Sequence, residues 1–407
     1  MARHLNPVFR AAVIALALAA YPLDVPAQQP PPRGRTAGAQ TPRRVDKKKE
    51  AKKRPPLTMV VGWTAALPAL ATGSPVAAGD RVFVPLESGE VLAVSVMTGA
   101  VEWTSRVQGA GPLTVGSGLV FVSDATGIAA LDASSGTLRW SVTLPGKLTA
   151  PLVTQSGWLL AGTDQADAIM FRAATGEVLW KQALGSPLRE RPALSADHIY
   201  LLLEDRRVVA LKLESGAQIW ERRLRGRGTS LLALDDRVFV GADDRFFYCL
   251  ASKDGKVKWR WRTGAPIVGT AVVDEHNVYF VSLDNVLRAL HWGDGEQQWK
   301  ASLPLRPSCG PFLTGRVLLV PGQAAEVPAF QWVDGSTAGS AKLPGEPKWP
   351  PVLLAAPDPD LGRLLAATGE GQLVLLVPGL QPLPSKSYPG LPIAPPGLPE
   401  DDGRGSG

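Results

Sequence analysis

Residues 129–140 read AALDASSGTLRW, and this stretch decides the fold. An alternating apolar run, IAALDA at 128–133, enters a turn that ends in Gly136. After three intervening residues comes Trp140. The same phrase recurs as TGAVEW at 98–103, TGEVLW at 175–180, SGAQIW at 215–220, DGKVKW at 254–259 and DGEQQW at 294–299. The tryptophans fall at 103, 140, 180, 220, 259 and 299, so the spacing is 37 to 40 residues throughout. A fixed period of this length marks a repeat architecture. A seventh copy, DGSTAG at 334–339, keeps the turn but has Gly339 in place of Trp. Upstream, Trp63 stands 40 residues before Trp103 without a Gly turn of its own.

Each period has one internal grammar. A short first run is followed by an apolar strand such as RVFVPL (81–86), LVFVSD (119–124) or RVFVGA (237–242). An alternating strand comes next, for example VLAVSV (91–96) or VVALKL (208–213), and then the Gly turn and the Trp strand. Four short strands per 40 residues, divided by Gly, Asp and Ser turns, describe one blade of a β-propeller. Residues 340–378 supply three more strand-like runs and no Trp strand. The strand around Trp63 is the missing fourth. The sequence therefore predicts an all-β, eight-bladed propeller of four-stranded antiparallel blades over residues 57–378, with the N-terminal strand closing the last blade and leaving no open sheet edge.

The tryptophans Trp63, Trp103, Trp140, Trp180, Trp220, Trp259 and Trp299 read as structural. An indole on an outer strand can cover the gap to a neighbouring blade, and the preceding Gly suits a turn that needs positive φ. Six residues before each repeat Gly stands Ala93, Ala130, Met170, Ala210, Cys249, Ala289 or Ala329, so Cys249 reads as a slightly larger Ala in a buried site. Cys309 lies two blades on, and no disulfide between the two is expected.

Outside the repeat, residues 1–27 read as a cleavable signal peptide. Arg3 and Arg10 precede the ten-residue apolar run 11–20, and Val25-Pro26-Ala27 offers small residues for cleavage. The run is too short to span a bilayer. There is no Cys before Cys249, so no lipid-modified cysteine is expected, and the expected location is the periplasm. Residues 28–56 form a basic, Pro-rich linker with ten Lys/Arg against Asp46 and Glu50. Almost no apolar residue offsets its ordering entropy, so it is expected to be disordered. It could dock on an anionic membrane surface or cell-wall polymer. The Pro-rich tail 379–407 is also expected to be disordered.

The chain has 407 residues, 43 Lys+Arg and 37 Asp+Glu, a net charge of +6. That charge sits unevenly. The linker carries +8 and the propeller region −2, while residues 181–262 hold 17 basic and 11 acidic groups. The densest run is ERRLRGRG at 221–228. Export and the lack of any groove-reading motif exclude a nucleic-acid partner. No His/carboxylate pair has catalytic or metal spacing, and no nucleophile motif or phosphate-binding Gly loop is present. No cofactor and no catalytic residue are expected, and the chain is expected to be a monomer.

The repeated G-x-x-x-W turn, preceded by the A-L-D-A type strand, resembles the pyrroloquinoline-quinone (PQQ) type of propeller repeat, over about four-fifths of the chain. Two kinds of protein share it: PQQ-dependent dehydrogenases and a non-catalytic group that includes the BamB outer-membrane assembly factors. The dehydrogenase reading implies calcium ligands including an Asn, an Asp base and commonly an adjacent Cys pair. Here Asn277 and Asn285 fall in turns and no Cys-Cys occurs. The resemblance therefore implies a periplasmic scaffold for protein–protein interaction, most like BamB. Its partner would be an envelope protein, in that group the barrel-assembly machinery. A quinoprotein dehydrogenase and a sensor or ligand-binding propeller are the alternatives.

The BamB resemblance also implies a partner site. The family's L-x-L-R type loop corresponds to LGSPLRERPAL at 184–194, where Leu188 and Arg189 match the last two positions and Ser186 replaces the first Leu. The acidic D-x-D of the next loop has no match, since LRGRGTS at 224–230 is basic. The partner-binding residues expected are Leu188 as an apolar anchor and Arg189, Arg222, Arg225 and Arg227 as charge-assisted contacts.

Overall fold

The computed structural model describes Leu57–Gly379, apart from Ala125, Ala196, Asp235, Arg316 and residues 355–361. The expected signal peptide and linker, and the tail beyond Gly379, lie outside the described residues. Within them, 32 strands run in chain order as successive antiparallel hairpins. Strand pairing groups them into four-stranded blades spanning 76–106, 113–143, 153–183, 193–223, 228–262, 267–302 and 312–342. The eighth blade takes three strands from 352–378 and its fourth from the N-terminal strand Leu57–Ala66, which pairs antiparallel with Gln372–Pro378 from Met59↔Pro378 to Ala66↔Gln372. The eight-bladed ring closed by its N-terminus is thus the observed fold.

A second clasp reinforces the closure. The strand Leu57–Ala66 begins two residues early and pairs in parallel with the outer strand of blade 7, Leu57 opposite Gly339 and Thr58 opposite Ser340. Blades 7 and 8 thereby share one continuous sheet. First strands of neighbouring blades lie against one another: Val76–Ala78 beside both Leu113–Gly116 and Val352–Leu354, and Gly228–Ala233 beside Ile267–Val273. That arrangement sets the first strands around the axis and the Trp strands at the rim.

The core lies between blades rather than within any one of them. Tyr200, Leu202 and Val208 of blade 4 pack with Val238, Val240 and Leu250 of blade 5 in one buried cluster, and the other junctions repeat the pattern. The tryptophans are the outer part of these layers. Each lies beneath the turn Gly of the following blade, not of its own: Trp63 under Gly99, Trp103 under Gly136, and so on to Trp299 under Gly335. A Cβ on any of these glycines would stand 2.5–2.8 Å from the indole carbons. Their φ angles of 66–80° would in any case strain an L side chain. Each indole N–H also donates to a backbone carbonyl of that next blade, as in Trp103 to Ala133 (3.2 Å), Trp180 to Leu213 (2.9 Å) and Trp220 to Ser252 (2.7 Å).

This arrangement explains both irregular copies. Trp63 needs no Gly turn of its own because its Gly floor, Gly99, belongs to blade 1. Gly339 carries no indole because the eighth blade has no turn from third to fourth strand, its fourth strand arriving from the other end of the chain. Cys249 sits where the repeat puts Ala, fully buried between Phe239 and Trp259 in the ladder, and both cysteines are free.

Candidate functional site

Alternate loops of an antiparallel meander emerge on opposite faces. The loops between blades and the turns between second and third strands share one face, here the loop face. The other two sets of turns share the opposite, or turn, face. This division sorts the arginines of blades 4 and 5, which are contiguous in sequence, into different environments.

On the loop face, two inter-blade loops and two turns each carry basic residues. The loop before blade 4 carries Arg189, whose amide donates to Leu202 (3.0 Å) and whose side chain is exposed, with Glu190 at 3.7 Å. Burial pushes the Glu190 carboxyl above its ordinary range, and the Arg189 charge opposes that shift. The loop before blade 5 carries Arg225 and Arg227. Asp243 receives the Arg227 amide (2.8 Å) and its Nε (3.1 Å), so Arg227 is partly committed to holding its own loop. Asp244 accepts the Gly226 amide (3.1 Å) and the Tyr248 hydroxyl (2.6 Å), which fixes the same loop to blade 5.

Arg225 is exposed and has no carboxylate within ion-pair distance among the described residues. Its carbonyl accepts from Arg206 (3.2 Å), which caps the adjacent turn. Arg206 and Arg245 occupy the second-to-third-strand turns of blades 4 and 5 with φ of 75° and 70°. Both therefore share the loop face with Arg189 and Arg225. Sequence reasoning singled out neither as a site residue. The signal was available in their position, since a DR step between second and third strands (Asp205-Arg206, Asp244-Arg245) repeats in both blades.

Two of the five expected contact residues lie elsewhere. Leu188 is 1% exposed and belongs to the buried cluster between blades 3 and 4. It bridges Leu203, and its side chain fills the space above Gly162. Ala71, Leu148, Pro307 and Pro347 make the equivalent bridge in blades 1, 3, 7 and 8. The position thus serves to seat the inter-blade loop, which corrects the expectation of an apolar anchor offered to a partner. Arg222 is half-buried on the outer strand Gln218–Arg223, on the same side as Trp220, and stands at the rim. Of the five, the loop face unites Arg189, Arg225 and Arg227.

Other basic residues of the run are already paired. Arg207 binds Asp205 (2.6 Å), Glu221 (2.9 Å) and the Leu184 carbonyl (2.7 Å). Lys256 and Lys258 belong to the turn-face end, paired with Asp254 (2.9 Å) and Asp236 (2.8 Å). Next to them Arg237 joins blades 5 and 6, donating to Asp236 (2.8 Å) and the Trp292 carbonyl (2.6 Å) while its guanidinium lies 4.3 Å from the Trp292 ring centre. Among the described residues no three His, Cys, Asp or Glu side chains converge as a metal site. His291 bonds Asp294 (2.9 Å) within a third-to-fourth-strand turn. Shallow inter-blade grooves of about 520 and 720 Å³ open beside Lys147 and Arg106 respectively.

Eight four-stranded blades with a Gly–Trp lock at each regular junction define the class: a closed propeller of the PQQ-repeat type. The sequence profile described as "Outer membrane protein assembly factor BamB" matches residues 58–128, 124–234 and 204–376, and the chain belongs to this family. It is 23% identical over 211 residues to the outer membrane protein assembly factor BamB of Moranella endobia, a stretch covering 47% of this chain and 54% of that protein. The match therefore spans about half of that relative's length. With the BamB of Burkholderia pseudomallei the chain is 24% identical over 343 residues, covering 78% of this chain and 88% of that one. The crystal structure of BamB from Moraxella catarrhalis superposes with a TM-score of 0.65 at 18% identity, over 78% of this chain and 99% of that one.

Proposed function

We propose that the chain is a non-catalytic scaffold of the periplasm that serves outer-membrane protein assembly. Its loop face at blades 4 and 5 would meet an acidic surface of the barrel-assembly machinery. The observation that carries this reading is the set of exposed arginines on that face, with Arg225 unpaired by any carboxylate among the described residues, in a chain belonging to the BamB family. Arginine suits the task because its planar fork binds carboxylates through two parallel bonds. A rigid ring adds preorganisation, since each loop is tied down by its own backbone bonds, and little ordering entropy is lost on docking.

Leu188 contributes by seating the Arg189 loop, and Arg222 stands at the rim of the contact. Export through residues 1–27 would deliver the chain to the periplasm as a monomer. The basic linker 28–56 would hold it near anionic headgroups or wall polymer through salt-sensitive attraction. The test is a titration of purified assembly-machinery components with the wild type and with Arg189→Glu/Arg225→Glu. Binding that weakens at least tenfold in the variant supports the reading. Failure of every component to bind the wild type removes it.

A further inference from the structure

Exposed aliphatic side chains are confined to one edge of the ring. All six large apolar residues that stand exposed among the described residues, Val60, Val61, Met97, Val101, Leu138 and Val178, belong to the consecutive blades 8, 1, 2 and 3. Each lies in the turn from third to fourth strand or in the first half of the fourth strand, and so toward the turn face. Four of them hold one repeat position. Val61, Val101, Leu138 and Val178 stand two residues before a Trp, opposite Leu376, Val94, Leu131 and Phe171 in the ladder. In the other blades the position is Gln218, Val257, Gln297 or Thr337, and of these only Val257 is apolar, half-buried rather than exposed.

Single exposed apolar residues are ordinary on a protein surface, whereas a group of them gathered on one side marks a contact. Positions equivalent in register stand at one height around the ring, so a flat surface meets them together. Much of the charge on this part of the turn face is already paired. Arg81 binds Glu102 and Arg172 binds Glu177 (3.0 Å), and the turns Ser117-Gly118 and Ser156-Gly157 of blades 2 and 3 carry no charge to desolvate. Arg139, next to Leu138, is exposed and has no carboxylate within ion-pair distance among the described residues.

The segment that enters the fold at this edge has a matching chemistry. Leu57 opens the fourth strand of blade 8 at the turn face, just before Val60 and Val61. Residues 43–54 carry eight Lys/Arg against Asp46 and Glu50. Arg54 is three residues from Leu57, so even a fully extended chain keeps it within about 11 Å of that entry. A surface that is negatively charged outside and apolar beneath is a leaflet with anionic headgroups, and binding to it grows with buried apolar area and with basic charge. We propose that blades 8, 1, 2 and 3 rest by their turn-face edge on an anionic lipid bilayer. The aliphatic side chains enter the headgroup boundary, and Arg139 and the basic residues of 43–54 meet the headgroups. This rests on the reading of the linker given above and extends the contact to the ring itself. It leaves the loop face, with Arg189 and Arg225, turned away from the lipid and open to a protein partner.

The experiment is flotation of the full chain with vesicles of equal parts phosphatidylcholine and phosphatidylglycerol, and with phosphatidylcholine alone, over a salt series. The variants are Val101→Gln/Leu138→Gln/Val178→Gln and, for the linker, Lys52→Glu/Lys53→Glu/Arg54→Glu. Glutamine is the residue that blades 4 and 6 already use at this position, so the first variant should keep the wild-type melting transition. Binding to the anionic vesicles is expected, weakened about tenfold or more by the glutamine variant with its salt dependence kept. The linker variant should weaken binding and flatten its salt dependence. A folded glutamine variant that binds as tightly as wild type overturns the contact of the ring and leaves the linker reading standing. Absence of wild-type binding to the anionic vesicles overturns both. Equal binding to phosphatidylcholine alone overturns the part assigned to anionic headgroups. A wild-type dimer that the glutamine variant converts to monomer, with vesicle binding unchanged, assigns the edge to a second copy of the chain instead.

Discussion

Gly339 and Leu57 lie directly opposite one another in the parallel clasp between blades 7 and 8, and a Cβ on Gly339 would collide with the Leu57 carbonyl oxygen. The position that carries Trp in the six preceding copies is here given over to strand pairing. Its φ of 121° is one that L side chains rarely adopt. Gly339→Trp, although it restores the repeat, is expected to separate the clasp and lower stability by about 1–3 kcal/mol. Chemical unfolding of the purified chain checks this. A variant as stable as wild type would show that the clasp contributes nothing to closure.

The Gly–Trp lock gives a coupled pair. Trp180 is buried under Gly216, and its N–H satisfies the Leu213 carbonyl. Trp180→Ala should cost about 3–5 kcal/mol. Gly216→Ala should cost more than about 1 kcal/mol alone, from both the positive φ and the indole beneath. With Trp180 removed only the φ contribution remains, so a double-mutant cycle should return a coupling of about 0.5–3 kcal/mol. Additive losses would mean that ring and turn do not meet in solution.

The turn-face clamp between blades 5 and 6 sets an acid limb. Hydrogen bonding from Arg237, aided by Lys258, holds the Asp236 carboxyl well below its ordinary value of 3.8, against a smaller opposing effect of burial. The folded state thus prefers the carboxylate, and the unfolded chain takes up the proton first. The stabilisation is present above pH 3.8 and is lost as pH falls through the lower folded value. Asp236→Asn should lower stability at pH 7 and flatten the decline below pH 4. A parallel decline in both proteins would show that Asp236 does not contribute.

Both thiols should resist ionisation in the folded chain, Cys249 fully buried and Cys309 partly so. Burial pushes Cys249 from 9.0 up to about 12, against the attraction of Arg237, and it likewise raises Cys309 to about 12. Below pH 9 each thiol is protonated in the folded and unfolded states alike. As pH rises from 9 toward 12 the unfolded chain ionises first, so stability falls over that window. Alkylation by iodoacetamide at pH 8 should therefore track unfolding, with native protein protected. Cys249→Ala, the residue of most other blades, should change stability by less than about 1.5 kcal/mol.

The repeat made the ring legible because a 40-residue period, a Gly turn and an outer-strand Trp are local facts. The blade count followed from the strand missing at one end and present at the other. What the period did not show is that Trp and Gly of one copy belong to different junctions. That relation depends on the twist between blades, which no single copy contains. The site was less legible for a related reason. Arginines adjacent in the chain at 222–227 are divided between the rim and the loop face, while Arg206, Arg225 and Arg245, from two turns and an inter-blade loop, share the loop face. Leu188 misled because its loop resembles a contact motif, whereas its backbone bridge to Leu203 recurs in four other blades with alanine, leucine or proline at the position.

That difference can be measured by separating stability from binding. Leu188 packs among Leu160, Leu201 and Leu203, so Leu188→Ala should cost about 2–5 kcal/mol of stability. Any loss of partner affinity in that variant should follow from a loosened loop, and it should shrink at low temperature, where the loop is held. Arg225→Ala removes an exposed side chain with no ion pair, and it should leave the unfolding transition within about 0.5 kcal/mol of wild type. It should nevertheless weaken association with an acidic partner and reduce its salt dependence. Unfolding curves and salt-series titrations on the same two variants check this together. If Leu188→Ala kept full stability and alone abolished binding, Leu188 would be restored as the contact residue and the arginine face would lose its assigned role.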